Sequence, residues 1–572
     1  MSKSNSRAPA RLLKAQGLDR EFDGKRVLQD ANFFIDSGEK VGIIGANGSG
    51  KTTFLRILAG DVEPDAGTIE MKNGVSVAEM SQHFSIDPST PVSEALACAD
   101  SLFLLPEMQP RREVVRLDGE TWRKLADRLD VTVEMQRRTV AELSGGERTK
   151  VALVRALASA RNSDLVLLDE PTSHLDIPTM EWLERAVSGL RCAALVVSHD
   201  RYFLDRTVTR IVELADGHLT SHIGNYTAYA IRKEAARREM EARHRKQQAE
   251  IERIETSITE MRRRWAYDPG RYRMKEKALE RMELVDSPQE SKGPAGMDFA
   301  HSAKTGREMA VFDRVSFSRD DRKVLENISF TIENGEKVGL IGSNGSGKST
   351  MAKLLTLRLE PDEGRVNLVG KTIPGYFAQE HEGLDHDSTA LEELGRTHPE
   401  MQDSTITGLL AMMGLGKEAA RKTVSQLSGG ERAKLALLKL VLSPSNLLVL
   451  DEPTNYLDSA SREAVEEALL AYEGAILLVT HDRYLLDKVA SRIFALDGGC
   501  LDSFPGNYSA YRGRRRVGLG KGGRNAYVVV KNYTDWSTRK KYKIGQVLEL
   551  TPDQEDAQKW AIENKAIVPK EE

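Results

Sequence analysis

Apolar residues along this chain fall in short runs of buried-strand length, separated by stretches with helical spacing. Val41 to Ile44 reads as a strand, a Gly-rich turn follows, and Phe54, Leu55, Ile57 and Leu58 then recur at the spacing of a helix face. Further apolar strands are expected to end at Asp169 and Asp451, and others at His199 and His481. This succession predicts an α/β fold. After about residue 230 the pattern changes to a charged helical segment that runs to about residue 286. Within it Ile251, Ile254, Ile258, Met261 and Trp265 are spaced 3, 4, 3 and 4, the seam of a helix with an antiparallel partner. Met274, Ala278, Met282 and Val285 supply the facing side. A first arm that is helical from about 228 to 265 spans roughly 55 Å at 1.5 Å per residue. Pro288 closes the segment, and SPQESKGPAG reads as linker. Past Tyr511 a basic tether (RGRRRVGLGKGGR) leads to a tail that alternates strand-like (AYVVV, YKIGQVLEL) and helix-like (DQEDAQKWAI) stretches.

The chain also repeats itself. GANGSGKTT at 45–53 returns as GSNGSGKST at 342–350, and LSGGER at 143–148 returns at 427–432. LVLLDEPT at 165–172 returns as LLVLDEPT at 447–454, VSHDRYFLD as VTHDRYLLD, and GNYTAY at 224–229 as GNYSAY at 506–511. Order is kept and only loop lengths drift, which marks a duplicated domain. The expected divisions are a first α/β domain over 1–229, a helical-hairpin linker over 230–300, a second α/β domain over 301–511, a tether over 512–524 and a small α+β module over 525–572.

Composition narrows the class. With 572 residues, 40% hydrophobic and 29% charged, the chain is long enough for two cores and ordinary for a soluble protein. Its longest apolar stretches, such as Cys192 to Val197, fall far short of a membrane span, and MSKSNSRAPA lacks the apolar core of a secretory signal. The cysteines Cys98, Cys192 and Cys500 stand too far apart for a metal cluster or disulfide framework, which fits a reducing cytoplasm.

The chemistry sits in the repeated motifs. GxxxxGK[ST] turns backbone N–H groups inward around a phosphate chain, at the positive end of the following helix. One match arises by chance in a structural loop; two matches, each followed in order by four further motifs, do not. The cradle comprises Gly45, Asn47, Gly48, Gly50, Lys51, Thr52 and Thr53 in the first copy. Gly342, Asn344, Gly345, Gly347, Lys348, Ser349 and Thr350 form it in the second. The lysines reach the terminal phosphates, and the Thr52 and Ser349 hydroxyls suit magnesium. Asp169 and Asp451, at strand ends, suit magnesium through water. The adjacent Glu170 and Glu452 suit the role of general base toward an attacking water. His199 and His481 are placed to contact a γ-phosphate, and Gln82 and Gln379 to sense metal and water.

P-loop, glutamine, LSGGE, DEPT and histidine in this order resemble the ATP-binding-cassette ATPases, over about residues 10–230 and 305–511. The resemblance implies ATP and Mg2+ as ligands and sites shared between the copies. Lys51 would face Ser428, Gly429 and Gly430, and Lys348 would face Ser144, Gly145 and Gly146, whose helix N-termini add donors to the γ-phosphate. Phe22 is placed to stack on adenine. Counting without gaps puts Arg319 at the matching position of the second copy, with Phe317 two residues earlier. After DEPT the first copy has SHLD and the second NYLD, so Tyr456 replaces histidine while Asp176 and Asp458 are kept.

The linker adds a basic patch. Residues 262–277 hold 7 basic and 2 acidic residues around the turn signal Asp268-Pro269-Gly270. Arg262, Arg263, Arg264, Trp265, Tyr267, Arg271, Tyr272, Arg273, Lys275 and Lys277 combine charge and aromatic rings in the manner of an RNA-backbone contact. Tandem cassettes joined by such a hairpin resemble the ABC-F family of ribosome-associated ATPases. That likeness implies a cytoplasmic monomer that binds the ribosome, its rRNA and peptidyl-site tRNA. It covers both housekeeping translation factors and factors that protect ribosomes from antibiotics, and the short tip turn favours the former. The first copy has 62 residues from Gln82 to Ser144, against 49 in the second, so any arm inserted there is vestigial. The competing reading is the tandem ATPase subunit of a membrane transporter, which has no use for a long basic hairpin.

Overall fold

A computed structural model describes residues 10–22, 24–46, 48–80, 87–104, 111–263, 306–319, 322–378, 384–397, 399, 401–413, 415–454, 457 and 459–516. It also describes five short tail strands between 525 and 569. The chain divides into two compact units, one built mainly on residues 1–295 and the other on residues 296–572.

The first unit opens with β1 (Arg11–Phe22), β2 (Lys25–Asp36), β3 (Lys40–Ile44), α1 (Lys51–Leu58), β4 (Ala66–Met71) and β5 (Val75–Met80). A helical stretch and a hairpin follow: α2 (Val92–Ala97), β6 (Cys98–Leu104), β7 (Arg111–Arg116), α3 (Gly119–Arg128) and α4 (Val133–Arg137). Next come α5 (Gly145–Ala160), β8 (Leu165–Asp169), α6 (Ile177–Ser188), β9 (Ala193–Val197) and α7 (Arg201–Thr207). The unit closes with β10 (Arg210–Ala215), β11 (His218–Ile223) and the 38-residue α8 (Tyr226–Arg263).

Two sheets sandwich α1. An antiparallel sheet has the order β2-β1-β4, and an eight-stranded mixed sheet has the order β11-β10-β3-β9-β8-β5-β6-β7. The strands β10, β3, β9, β8 and β5 run parallel. Their near-continuous apolar runs follow from being covered on both faces, and every residue of β8 and β9 is buried. Phe54 on α1 is fully buried and meets Phe33 of β2 edge-on, with ring centroids 5.3 Å apart.

The second unit repeats the plan with β12 (Glu308–Arg319), β13 (Arg322–Glu333), β14 (Lys337–Gly342), α9 (Lys348–Leu355), β15 (Glu363–Leu368) and β16 (Pro374–Phe377). Its helical stretch is α10 (Ala390–Thr397), α11 (Asp403–Met412) and α12 (Lys417–Arg421). Then follow α13 (Gly429–Leu442), β17 (Leu447–Asp451), α14 (Ser459–Ala471), β18 (Ala475–Val479) and α15 (Arg483–Val489). Last are β19 (Arg492–Asp497), β20 (Cys500–Pro505) and α16 (Tyr508–Arg516). The sheets run β13-β12-β15 and β16-β17-β18-β14-β19-β20. Met351 takes the place of Phe54, and the volume is made up by stacked Phe312 and Phe330, 4.4 Å apart, with Phe494 beside them. Among the described residues this sheet has nothing like the β6–β7 hairpin. The extra length in the first copy is therefore spent, in part, on two strands added to a sheet edge.

The observed mixed sheets match the expected α/β class. The strands expected to end at His199 and His481 instead end two residues earlier, at Val197 and Val479. In the tail, β21 (Asn525–Val529), β22 (Tyr533–Thr534), β23 (Lys541–Tyr542), β24 (Val547–Leu550) and β25 (Ile567–Pro569) form the orders β24-β21-β25 and β22-β23. The helix-like stretch of the tail lies outside the described residues.

Candidate nucleotide-binding sites

Each P-loop leaves a central strand and enters a helix through glycines that no other residue can replace without strain. Gly48 and Gly50 have φ of 73° and 101°, and Gly345 and Gly347 have 76° and 104°, in the left-handed region that favours glycine. A Cβ on Gly50 would lie 2.1 Å from Val27 Cγ1, and one on Gly45 would lie 2.5 Å from the Leu214 carbonyl oxygen. The second copy has the same crowding, with Gly347 against Val324 and Gly342 against the Leu496 carbonyl oxygen at 2.4 Å. The hairpins β1–β2 and β12–β13 are thereby pressed against the phosphate loops.

Lys51 Nζ donates to the carbonyl oxygens of Gly45 and Ala46 at 2.9 and 2.8 Å. Lys348 makes the same pair of bonds to Gly342 and Ser343, also at 2.9 and 2.8 Å. Both ammonium groups thus close their own loops, and phosphate oxygens are the natural exchange partners for these carbonyls. Burial lowers the Lys51 pKa, opposed by the nearby negative charges of Glu170 and Asp169. The Ser49 and Ser346 hydroxyl oxygens are buried with no hydrogen-bond partner among the described residues. Buried polar groups are rarely left so, and a cradle with unsatisfied hydroxyls fits an oxygen-rich ligand.

The acidic residues converge on the same place. Asp169 and Asp451 are the last residues of β8 and β17 and are buried. The Ser349 hydroxyl bonds to Asp451 and lowers its pKa, but burial outweighs it and raises the carboxyl above its ordinary range. Among the described residues no three His, Cys, Asp or Glu side chains cluster to hold an ion unaided. The Ser349–Asp451 pair, which joins a hydroxyl to a carboxylate, suits a hard cation whose other ligands are phosphate and water.

Glu170 and Glu452 have left-handed backbones, with φ of 49° and 53°, a conformation that costs a non-glycine residue energy unless its surroundings fix it. Here the fixing bonds are from each glutamate N–H to the next strand, Glu170 to the Val197 oxygen at 2.9 Å and Glu452 to the Val479 oxygen at 2.8 Å. The twist turns each carboxylate toward the histidine. His199 N–H donates to Glu170 Oε2 at 3.4 Å, and its Nε2 lies 3.5 Å from Oε1. In the second copy Thr480 Oγ1 adds a bond to Glu452 Oε2 at 3.3 Å. Burial, reinforced by the charge of Asp451, pushes the Glu452 carboxyl up to about 8.

The signature motifs begin helices. Ser144 and Ser428 cap α5 and α13, and each exchanges bonds with the glutamate three residues on: Ser144 N–H to Glu147 Oε2 at 2.8 Å, and Glu147 N–H to Ser144 Oγ at 3.3 Å. Ser428 and Glu431 repeat both distances. Serine followed three positions later by glutamate is a sequence signal of this capping box. Arg138 pairs with Glu147 from the preceding helical stretch. Gly146 lies so close to His174 that an added Cβ would stand 3.3 Å from His174 Cβ.

The repeated GNY motif ties the next helix to the histidine's helix. The Asn225 amide donates to the Asp205 carbonyl at 3.3 Å, Thr227 N–H donates to Asp205 Oδ1 at 2.7 Å, and Ala228 N–H donates to Asn225 Oδ1 at 3.1 Å. Asp205 sits on α7, which starts two residues after His199. Asn507, Ser509 and Asp487 repeat the arrangement.

Comparison with known proteins gives the family. A family model described as ABC transporter matches residues 28–173 and 325–455, and a second model with the same description matches 212–296. ABC transporter F family member 5 of Arabidopsis thaliana is 35% identical over 537 residues, covering 87% of this chain and 77% of that protein. The chain belongs to the ABC-F family. Among solved structures, one of the RNase-L inhibitor aligns with a TM-score of 0.61 at 19% identity, covering 97% of this chain and 99% of that one. A structure titled as the complex of archaeal ribosomal stalk protein aP1 and archaeal ribosome recycling factor aABCE1 aligns with a TM-score of 0.60 at 20% identity, covering 95% and 98%. At these identities the likeness shows the tandem-cassette fold. No helix among the described residues of this ABC-F chain is long and apolar enough to cross a membrane.

Four groups of expected site residues fall outside this geometry. Asn47, Gln82 and Gln379 lie outside the described residues. So do Arg264, Trp265, Tyr267, Arg271, Tyr272, Arg273, Lys275 and Lys277. Arg262 and Arg263 end α8. Phe22 is exposed at the end of β1.

Proposed function

We propose that this ABC-F chain is an ATP hydrolase whose two cassettes close on nucleotide and bind the ribosome in that state. It acts on translation through the linker tip beside the peptidyl-site tRNA. One observation carries the reading: in each copy a strained glutamate bonded to a histidine stands beside the phosphate loop, and in the first that histidine's helix is pinned to α8.

Lys51 and Lys348 leave their loop carbonyls for the terminal phosphates. Glu170 and Glu452 orient and deprotonate the attacking water, and His199 and His481 hold the γ-phosphate and the glutamate together. Thr52 or Ser349 with Asp169 or Asp451 would hold magnesium, which would supply charge neutralisation at the phosphates. Ser144 and Gly146 complete the site at Lys348, and Ser428 and Gly430 the site at Lys51, so closure requires bound nucleotide and hydrolysis releases it. Asp205 and Asn225 pass the movement to α8. Family membership and the ribosomal partner named for the aABCE1 structure support the ribosome as target.

The test is co-sedimentation. The double variant Glu170→Gln, Glu452→Gln with ATP is expected to pellet with ribosomes. Neutralising Arg262, Arg263, Arg264, Arg271 and Arg273 should weaken this and flatten its salt dependence. Pelleting with membrane vesicles and none with ribosomes would favour a transporter subunit. A shift in the drug tolerance of a translating extract on adding the chain separates an antibiotic-protection factor from a housekeeping one.

A further inference from the structure

The two copies differ at the strand end beside the phosphate loop. Phe22 and Arg319 occupy the same position: β1 pairs Arg20 with Leu28, Glu21 with Arg26 and Phe22 with Lys25, and β12 pairs Phe317 with Leu325, Ser318 with Lys323 and Arg319 with Arg322. The arginine and the phenylalanine have changed places between the copies. In the first, Arg20 bonds to Asp65 at 2.5 Å and lies over the Phe22 ring, 4.5 Å from its centroid. That leaves the ring as the exposed end of the strand. In the second, Phe317 packs against the core and Arg319 is the exposed end, with Arg322 directly across the strand pair.

Both strand ends are held near the phosphate loops. Val27 meets Gly50 and Val324 meets Gly347, so each hairpin mouth stands a few residues from its phosphate loop, where the base of a bound triphosphate would lie. A phenyl ring accepts any purine by stacking. A guanidinium is a fork of N–H donors, and guanine offers it two acceptors, N7 and O6, on one edge, whereas adenine offers N7 beside the N6 donor. A second arginine opposite the first adds donors and no acceptor for the adenine amino group.

We propose that the second site selects guanine over adenine through Arg319, with Arg322 beside it, so that this chain pairs an adenine-accepting site with a GTP-preferring one. This rests on the nucleotide reading above.

Equilibrium binding of ATP and GTP, by displacement of a ribose-labelled fluorescent nucleoside diphosphate in Mg2+ buffer, tests it on the full chain. In a Lys51→Met chain, which leaves only the second site, GTP is expected to bind at least roughly fivefold more tightly than ATP. Adding Arg319→Phe should remove or reverse that preference, and Arg319→Gln should remove it without adding a ring. Equal affinities, or tighter ATP, with no response to either change would overturn the proposal. So would absence of binding to the Lys51→Met chain while a Lys348→Met chain still binds ATP. Loss of binding in neither single variant nor in the Lys51→Met, Lys348→Met pair would instead overturn the phosphate assignment itself.

Discussion

His481 and Glu452 meet twice: the histidine N–H donates to Glu452 Oε1 at 3.1 Å, and its ring Nε2 stands 3.7 Å from the same oxygen. The backbone bond survives any substitution of His481 except proline, so the ring can be removed without releasing the glutamate. His481→Ala should therefore leave nucleotide affinity within a few fold and cut turnover at the second site by ~100-fold. Single-turnover hydrolysis alongside equilibrium binding checks this. A matching fall in affinity would mean that the ring serves binding rather than chemistry.

Glu452 also makes a prediction about pH. Its folded pKa, pushed up to about 8, lies above the ordinary value of 4.5. Between those values the folded state holds a proton that the unfolded state has lost, so this group's contribution to stability falls as pH rises through the window. Glu452→Gln removes the effect. Without nucleotide or metal, the variant should match the parent near pH 4.5 and gain on it toward pH 8, by at least about 2 °C in Tm. A gain that shrinks with rising pH would contradict the assignment.

Asp205 bonds to Asn225 and Thr227 at the start of α8. Asp205→Ala removes only the side-chain bond to Thr227 and leaves the carbonyl that Asn225 uses. Basal ATP hydrolysis should stay within about twofold, while its stimulation by ribosomes drops, because α7 no longer holds the linker helix in register. Equal loss of basal and stimulated rates would place Asp205 in general folding instead.

Phe54 is fully buried between the two sheets of the first unit. Phe54→Ala should cost about 3–5 kcal/mol in that unit's unfolding, while Met351→Ala should cost about 2–5 kcal/mol in the other. Denaturant unfolding with a probe in each unit separates the two.

Much of this was legible in the sequence because the relevant signals are local and periodic. Strand–glycine–helix spacing around Lys51 placed β3 and α1, and the apolar spacing from Ile251 to Ile258 placed α8, observed as Tyr226–Arg263. The capping boxes at Ser144 and Ser428 were written in the spacing to Glu147 and Glu431. The left-handed turn at Glu170 was not, because it depends on the Val197 carbonyl of another strand. Nor was the β6–β7 hairpin, whose short strands gain their regularity only by pairing at the edge of β5. The match of Phe22 to Arg319, with Phe317 two residues earlier, was visible as an alignment, but the part played by Arg20 needed Asp65 and the strand register.

In the proposed function each nucleotide is enclosed by its own P-loop and by the signature of the other copy. In a Glu170→Gln, Glu452→Gln chain with Cys98, Cys192 and Cys500 changed to serine, cysteines at Ala46 and Ser428 should join through a short bis-maleimide when ATP and Mg2+ are present. Cysteines at Ala46 and Ser144 should not. ATP-dependent joining of Ala46 to Ser144, with none to Ser428, would contradict the account.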